Sequence, residues 1–230
     1  MMKAVGEITF DVFYLVFVGL IAYFLLRHCK KGEGKMMGYA TLFLVVGDAF
    51  HLIPRILDYL FTYDFTFLLG FGKMVTSFTM TFFYVFLYWI YFNLFHEKEN
   101  IEKSYFFYAL VVCRLFFLVL PMNHWFSGEG SVWMGITRNI PFVIMGVMVL
   151  MMYYKRRKRL DMFSRFWIYI LLSFLFYLPV VVFAKDYPII GMFMLPKTVC
   201  YILMVNCFFH YCLQYCIPWD DNDVVYDKKK

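Results

Sequence analysis

Residues 155–184 read KRRKRLDMFSRFWIYILLSFLFYLPVVVFA: five consecutive basic residues, Arg165, and then nineteen residues without a charge. At a rise of 1.5 Å per residue, about twenty helical residues cross a ~30 Å hydrocarbon core. A basic loop followed by an apolar block of that length is the signature of a membrane helix with its cytoplasmic flank. Working outward, blocks of the same kind occupy 8–27, 38–61, 66–95, 104–121, 131–153, 166–184 and 190–214. Period-two alternation, the mark of a membrane β-barrel, is absent.

Composition agrees with that reading. Hydrophobic residues make up 63% of the 230 and charged residues 17%, against roughly half and a quarter in a soluble domain. A soluble globule of this size would lack the polar residues needed to cover its surface. The fold class expected is all-α: a polytopic bundle of seven transmembrane helices forming one domain over 1–214, with a short tail over 215–230. No cleavable signal peptide is expected, because Glu7 and Asp11 interrupt the start of the first apolar run.

Topology follows from where the basic residues fall. The segments 27–37, 96–103, 154–165 and the tail carry fifteen Lys and Arg, whereas the opposite loops carry only Lys3 and Lys185. The positive-inside rule places the basic loops and the C-terminus in the cytoplasm and the N-terminus outside, which requires an odd number of spans. The localisation expected is integral to the cytoplasmic (plasma) membrane. The net charge of +6 is thus a topology signal, and nucleic acid is not an expected partner.

Cysteine usage points the same way. The six cysteines contain no CxxC pair and no His/Cys metal cluster, and none falls in an outside loop, so disulfides are not expected. Cys29, Cys212 and Cys216 fall near the cytoplasmic surface, where free thiols are expected and palmitoylation is the alternative.

Five basic residues remain, and they lie inside spans: Arg55, Lys73, Arg114, Arg138 and Lys197. A charge in hydrocarbon costs about 3 kcal/mol or more, so each is a functional candidate. Counted from the outer ends of five different helices, all sit six or seven residues in, roughly 10 Å deep. They are the expected anion-binding residues. In the second span Asp48, His51, Arg55 and Asp58 fall within about 80° of one another, a single helix face, with Thr41 extending it. Asp48, His51 and Asp58 are the expected catalytic residues, with Asp48 and His51 one turn apart as an acid/base pair. Pro54 frees the Phe50 carbonyl four residues earlier.

Ser77, Thr81, Tyr84, Asn139 and Tyr201 are the expected lining of such a cavity, rimmed by Asn123, His124 and Trp125. In the third span Lys73, Ser77, Thr81, Tyr84, Tyr88 and Tyr91 share one broad face, which reads either as a polar path towards the cytoplasm or as packing. His210 and Asn206 lie on another face of the seventh span and read as structural.

The reading that follows is a net-positive cavity in the outer half of the bundle for an anionic lipid or small anion, with lipid-head-group hydrolysis as its chemistry. A carrier or ion path through the bundle is one alternative. A non-catalytic protein held by ion pairs of Asp11, Asp48 and Asp58 is another, and a retinal-binding protein is a more distant one. No Gly-x-Ser-x-Gly or HExxH motif is present, so no metal or other cofactor is expected, and the partners expected are membrane lipids.

Two resemblances bear on this. Val46-Gly47-Asp48-Ala49-Phe50, with Phe67-Leu68-Leu69-Gly70 at the next helix start, resembles the YhhN-like lysoplasmalogenase family. That resemblance implies a multi-span hydrolase of the vinyl-ether bond of lysoplasmalogens, and carries a role onto Asp48 alone. It covers about a quarter of the chain. The family's His near Thr81, its late Ser-Asp pair and its usual eighth span have no counterpart here. Tyr177-Leu178-Pro179-Val180-Val181, followed by Lys197 in the last span, resembles microbial rhodopsins, which would make Lys197 a Schiff-base residue. The Arg and Asp counter-ion pattern of their third span is missing.

Overall fold

The computed structural model describes residues 2–30, 32–127 and 130–217, without the side chains of 2–4. Seven α-helices follow one another: α1 (Met2–His28), α2 (Gly32–Leu60), α3 (Thr66–Phe95), α4 (Ile101–Val119), α5 (Val132–Lys155), α6 (Phe166–Phe183) and α7 (Met194–Tyr215). Short 3₁₀ turns at Pro121–Asn123, Asp161–Phe163 and Pro188–Phe193 join the later ones, and no strand occurs among the described residues. From 218 onward the expected tail, including Lys228–Lys230, lies outside the described residues, as does Lys31.

Six of these helices are long and apolar enough to cross a membrane. The helix outside that group is α4: its 19 residues include Glu102, Lys103 and Arg114. An all-helical membrane bundle is therefore the architecture, with six helices qualifying by length and composition. The cause lies in sequence: α4 is as apolar on average as α5, but every eighteen-residue stretch of it contains all three charges.

Neighbours in sequence pack as neighbours in space, and α1 also packs on α7, so the bundle closes on itself. α3 touches α2, α4 and α5 and carries the longest run of buried residues, including Tyr84, Tyr88 and Tyr91. Of the two readings of its tyrosine face, packing prevails. Tyr84 meets Phe142 edge-on at 5.1 Å, and Tyr88 stacks on Phe107 at 4.1 Å while its hydroxyl meets Ser104 at 2.8 Å. Tyr91 meets the ring of Tyr153 at 5.5 Å. Aromatic pairs in these geometries contribute about 0.5–1.5 kcal/mol each beyond area burial. They pack the rings of Tyr84, Tyr88 and Tyr91 into the core between α3, α4 and α5.

The α2–α3 contact is the most extensive between helices among the described residues. A Cβ on Gly47 would fall 1.7 Å from Thr79 Oγ1, and one on Gly72 would fall 2.1 Å from the Phe50 carbonyl oxygen. Thr76 donates its hydroxyl to the Gly47 carbonyl at 2.8 Å. Small residues let helices approach in lipid, where burial of apolar surface supplies little drive. Pro54 lies inside α2 and removes the amide that would have bonded the Phe50 carbonyl; Gly72 is the residue packed on that carbonyl. At the start of α3, a Cβ on Gly70 would fall 1.6 Å from the Trp125 carbonyl oxygen. This seats the α4–α5 connection on α3.

One expectation is overturned at the opposite end. Cys29 and Cys216, 187 residues apart, form a disulfide. The expectation of free thiols came from loop position alone. Packing of α1 on α7 brings the end of α1 against the end of α7, with the two Cα atoms 5.1 Å apart, well inside disulfide range.

Gly72→Ala should lower the stability of the detergent-purified protein by about 1–3 kcal/mol, because the neighbouring atoms are backbone and cannot swing aside. Gly19→Ala, with nothing within 4 Å, should leave the melting temperature unchanged or slightly raised. Thermal unfolding of the two variants side by side checks both.

Candidate functional site: a cation-lined cavity

At the end of the bundle away from the basic loops, the helices enclose a cavity of about 400 Å³. Its wall draws on α2 through α7, because the polar residue near the same end of each helix turns inward. Five basic side chains line it: Lys73, Arg114, Arg138, Lys185 and Lys197. Among the described residues, no carboxylate belongs to the lining. His51, Thr76, Ser77, Asn123, Asn139 and Tyr177 add polar groups, while Met80, Phe142, Val180, Val181 and Met194 supply an apolar wall.

Arg114 is the most enclosed of the cations, with 2% of its surface exposed. One of its terminal nitrogens donates to the Arg138 carbonyl and to Asn139 Oδ1, the latter at 2.8 Å. Its guanidinium lies over the Phe142 ring at 4.7 Å, and its Nε has no hydrogen-bond partner. Arg138 donates to Asn123 Oδ1 at 2.9 Å and lies over Trp125 at 4.1 Å. Lys197 sits over the rings of Tyr177 at 4.6 Å and Tyr201 at 5.4 Å. Asn139 is the organiser: its oxygen accepts from both Arg114 and Tyr177, and its nitrogen donates to the Gly135 carbonyl.

These cations are thus held by amide oxygens and aromatic faces. The only ion pairs among the described residues are Arg55–Asp11 and Arg156–Glu97. A hydrogen bond to a charged group contributes about 1.5–3 kcal/mol, and a cation over a ring about 0.5–2. Those sums meet the several kcal/mol that desolvating one cation costs, but they do nothing for repulsion between cations. Arg138 acts as a like charge on both Arg114 and Lys73. Positive potential is concentrated where the cavity lies.

Of the residues expected from sequence, Lys73, Arg114, Arg138, Lys197, His51, Ser77 and Asn139 line this one cavity, as do the rim residues Asn123, His124 and Trp125. Arg55 does not: it reaches α1 and donates to Asp11 Oδ2 at 2.5 Å. Asp48 accepts from the Tyr14 hydroxyl at 2.5 Å, and no hydrogen bond joins it to His51. Asp58 is exposed near the end of α2. The polar stripe of α2 therefore divides: Asp48 and Arg55 face Tyr14 and Asp11 of α1, and His51 alone faces the cavity. Of the three ion pairs considered for Asp11, Asp48 and Asp58, one forms. Thr81 is buried and returns its hydroxyl to the Ser77 carbonyl; Tyr84 and Tyr201 pack beneath the cavity rather than lining it.

Sequence reasoning passed over Lys185, Tyr177 and Phe142. Lys185 carried a signal, being one of just two basic residues in loops on its side. Tyr177 and Phe142 carried none, since an aromatic residue in this chain is the commonest kind of packing residue.

No protein-family model, no curated protein and no solved structure matches this chain.

Asn139→Leu should cost about 2–3 kcal/mol, because it leaves a buried guanidinium and the Tyr177 hydroxyl short of an acceptor. In a double-mutant cycle with Arg114→Met, a coupling of about 1–3 kcal/mol is expected. Strictly additive losses would show that Arg114 draws its support elsewhere.

Proposed function

We propose that this protein crosses the membrane seven times, with its N-terminus outside, and binds the anionic head of a membrane amphiphile in an outward-facing cavity. The observation that carries the proposal is a wall of five cations with no carboxylate among the described residues. A bound phosphate or carboxylate would lie among Arg114, Arg138, Lys73 and Lys197 and remove their mutual repulsion. Guanidinium groups suit bidentate contact with such oxygens, and Lys adds point charge. The apolar wall of Met80, Phe142, Val180, Val181 and Met194 suits a chain attached to the head.

Support for a seventh span comes from where the charges of α4 lie. Glu102 and Lys103 occupy its first turn, where Asn100 accepts from the Lys103 amide at 3.2 Å, and Arg114 turns inward. A lipid-facing charge is thus not required of it. The orientation rests on the distribution of Lys and Arg.

Hydrolysis of the bound head group is the second reading, favoured by one observation. His51 lines the cavity and its buried Nδ1 has no hydrogen-bond partner, so it could act as a base once a water reaches that enclosed nitrogen. The lysoplasmalogenase resemblance points to Asp48 instead, which the Tyr14 hydroxyl occupies.

Native mass spectrometry of protein purified in mild detergent, wild type against Arg138→Ala, tests the binding. A co-purifying anionic lipid should be present in the wild type. In the variant its occupancy should fall by about 10-fold or more, the effect of losing one charged contact. A lipid-free wild type whose melting temperature rises with inorganic phosphate would identify a small anion as the ligand. With neither response in a folded protein, the binding reading fails. Turnover lost in His51→Gln with lipid retained would establish the hydrolase.

A further inference from the structure

A second cluster lies at the other end of the bundle and owes nothing to the cavity. The sulfurs of Cys29, Cys212 and Cys216 lie within 4.8 Å of one another. The first two residues are buried and Cys216 is half-buried. Gly34 leaves the space they occupy: a Cβ there would fall 2.8 Å from the Cys216 sulfur and 2.9 Å from that of Cys29. Beside them the Tyr211 hydroxyl donates to Glu33 Oε1 at 2.5 Å, fixing the end of α7 against the start of α2. Three sulfurs from the end of α1 and the end of α7 thus share one small site, held by a polar contact that involves none of them.

In the bridged form Cys29 and Cys216 share a bond and Cys212 stands beside them as a free thiol. A structural bridge needs no third sulfur; a thiolate metal site does. We propose that the reduced trio is a binding site for a soft d¹⁰ ion, Zn²⁺ or Cu⁺, and that the disulfide is its oxidised, metal-free state. Three thiolates suit such ions and discriminate against Mg²⁺ and Ca²⁺, which take oxygen ligands. The cluster lies at the end of the basic loops, which the topology proposed above places in the reducing cytoplasm.

Interconversion balances with small-molecule thiols as reductant. One thiolate attacks the more accessible Cys216 sulfur, breaking the bridge, and Cys29 leaves as thiolate. A second thiolate attacks the mixed disulfide, leaves as the external disulfide and frees Cys216. Two electrons enter the protein. The ion then binds all three sulfurs and their thiol protons pass to solvent.

The test uses the full chain in mild detergent with a phosphine reductant. Zinc or copper per chain is measured by elemental mass spectrometry, after equilibration with each ion and removal of the excess. About one ion per chain is expected, falling to background in Cys212→Ser and Cys216→Ser. Cys113→Ser, in α4 and outside the cluster, should match the wild type. Melting curves confirm folding, and Cys216→Ser, at the exposed helix end, provides a folded variant if Cys212→Ser is unstable. Equal metal in wild type and both cluster variants would overturn the proposal. So would reduced wild type titrating only the four thiols free in the bridged form.

Discussion

Hydrocarbon offers no partner to a charged side chain, and that constraint fixes which way five of the helices face. Arg55 on α2, Lys73 on α3, Arg114 on α4, Arg138 on α5 and Lys197 on α7 all lie near one end of the bundle. Arg55 turns to Asp11 of α1, and the other four turn to a common interior. Rotating any of those helices by half a turn would put a cation into lipid. Their facing is therefore set by charge, and apolar packing then fills what remains.

Two devices make the facing geometrically feasible. The glycines of α2 and α3 bring those helices close enough that Thr76 reaches the Gly47 carbonyl, and Gly70 seats the loop bearing Trp125. Trp125 then lies under Arg138. Below the cavity, stacked tyrosines and phenylalanines from α3, α4, α5 and α6 form the apolar core. Tyr84 shows how the two regions meet. It lies fully buried beneath the cavity against Phe142, whose ring carries Arg114.

The two ends of the molecule are built for different tasks. At the cation-lined end the cavity wall has no carboxylate among the described residues and holds its charges on amides and rings, while Asp11 outside the wall pairs with Arg55. The opposite end gathers cysteines from both ends of the chain and ties α7 to the α1–α2 corner.

The sequence by itself determined the helical membrane class and named four of the five cations that line the cavity, while α1 and α2 begin six residues earlier than their apolar runs suggested. The class and the cations follow from local rules: apolar run length, and the cost of a charge in lipid that drives it inward. Arg55 defeated the same logic, since its depth matched the others but only contact with Asp11 decided its direction. The pairing of Asp48 with Tyr14, the entry of Lys185 into the wall and the meeting of Cys29 with Cys216 were decided by tertiary structure alone. Each depends on which helix packs beside which, and the order in which helices follow along the chain does not encode the closure of α1 on α7.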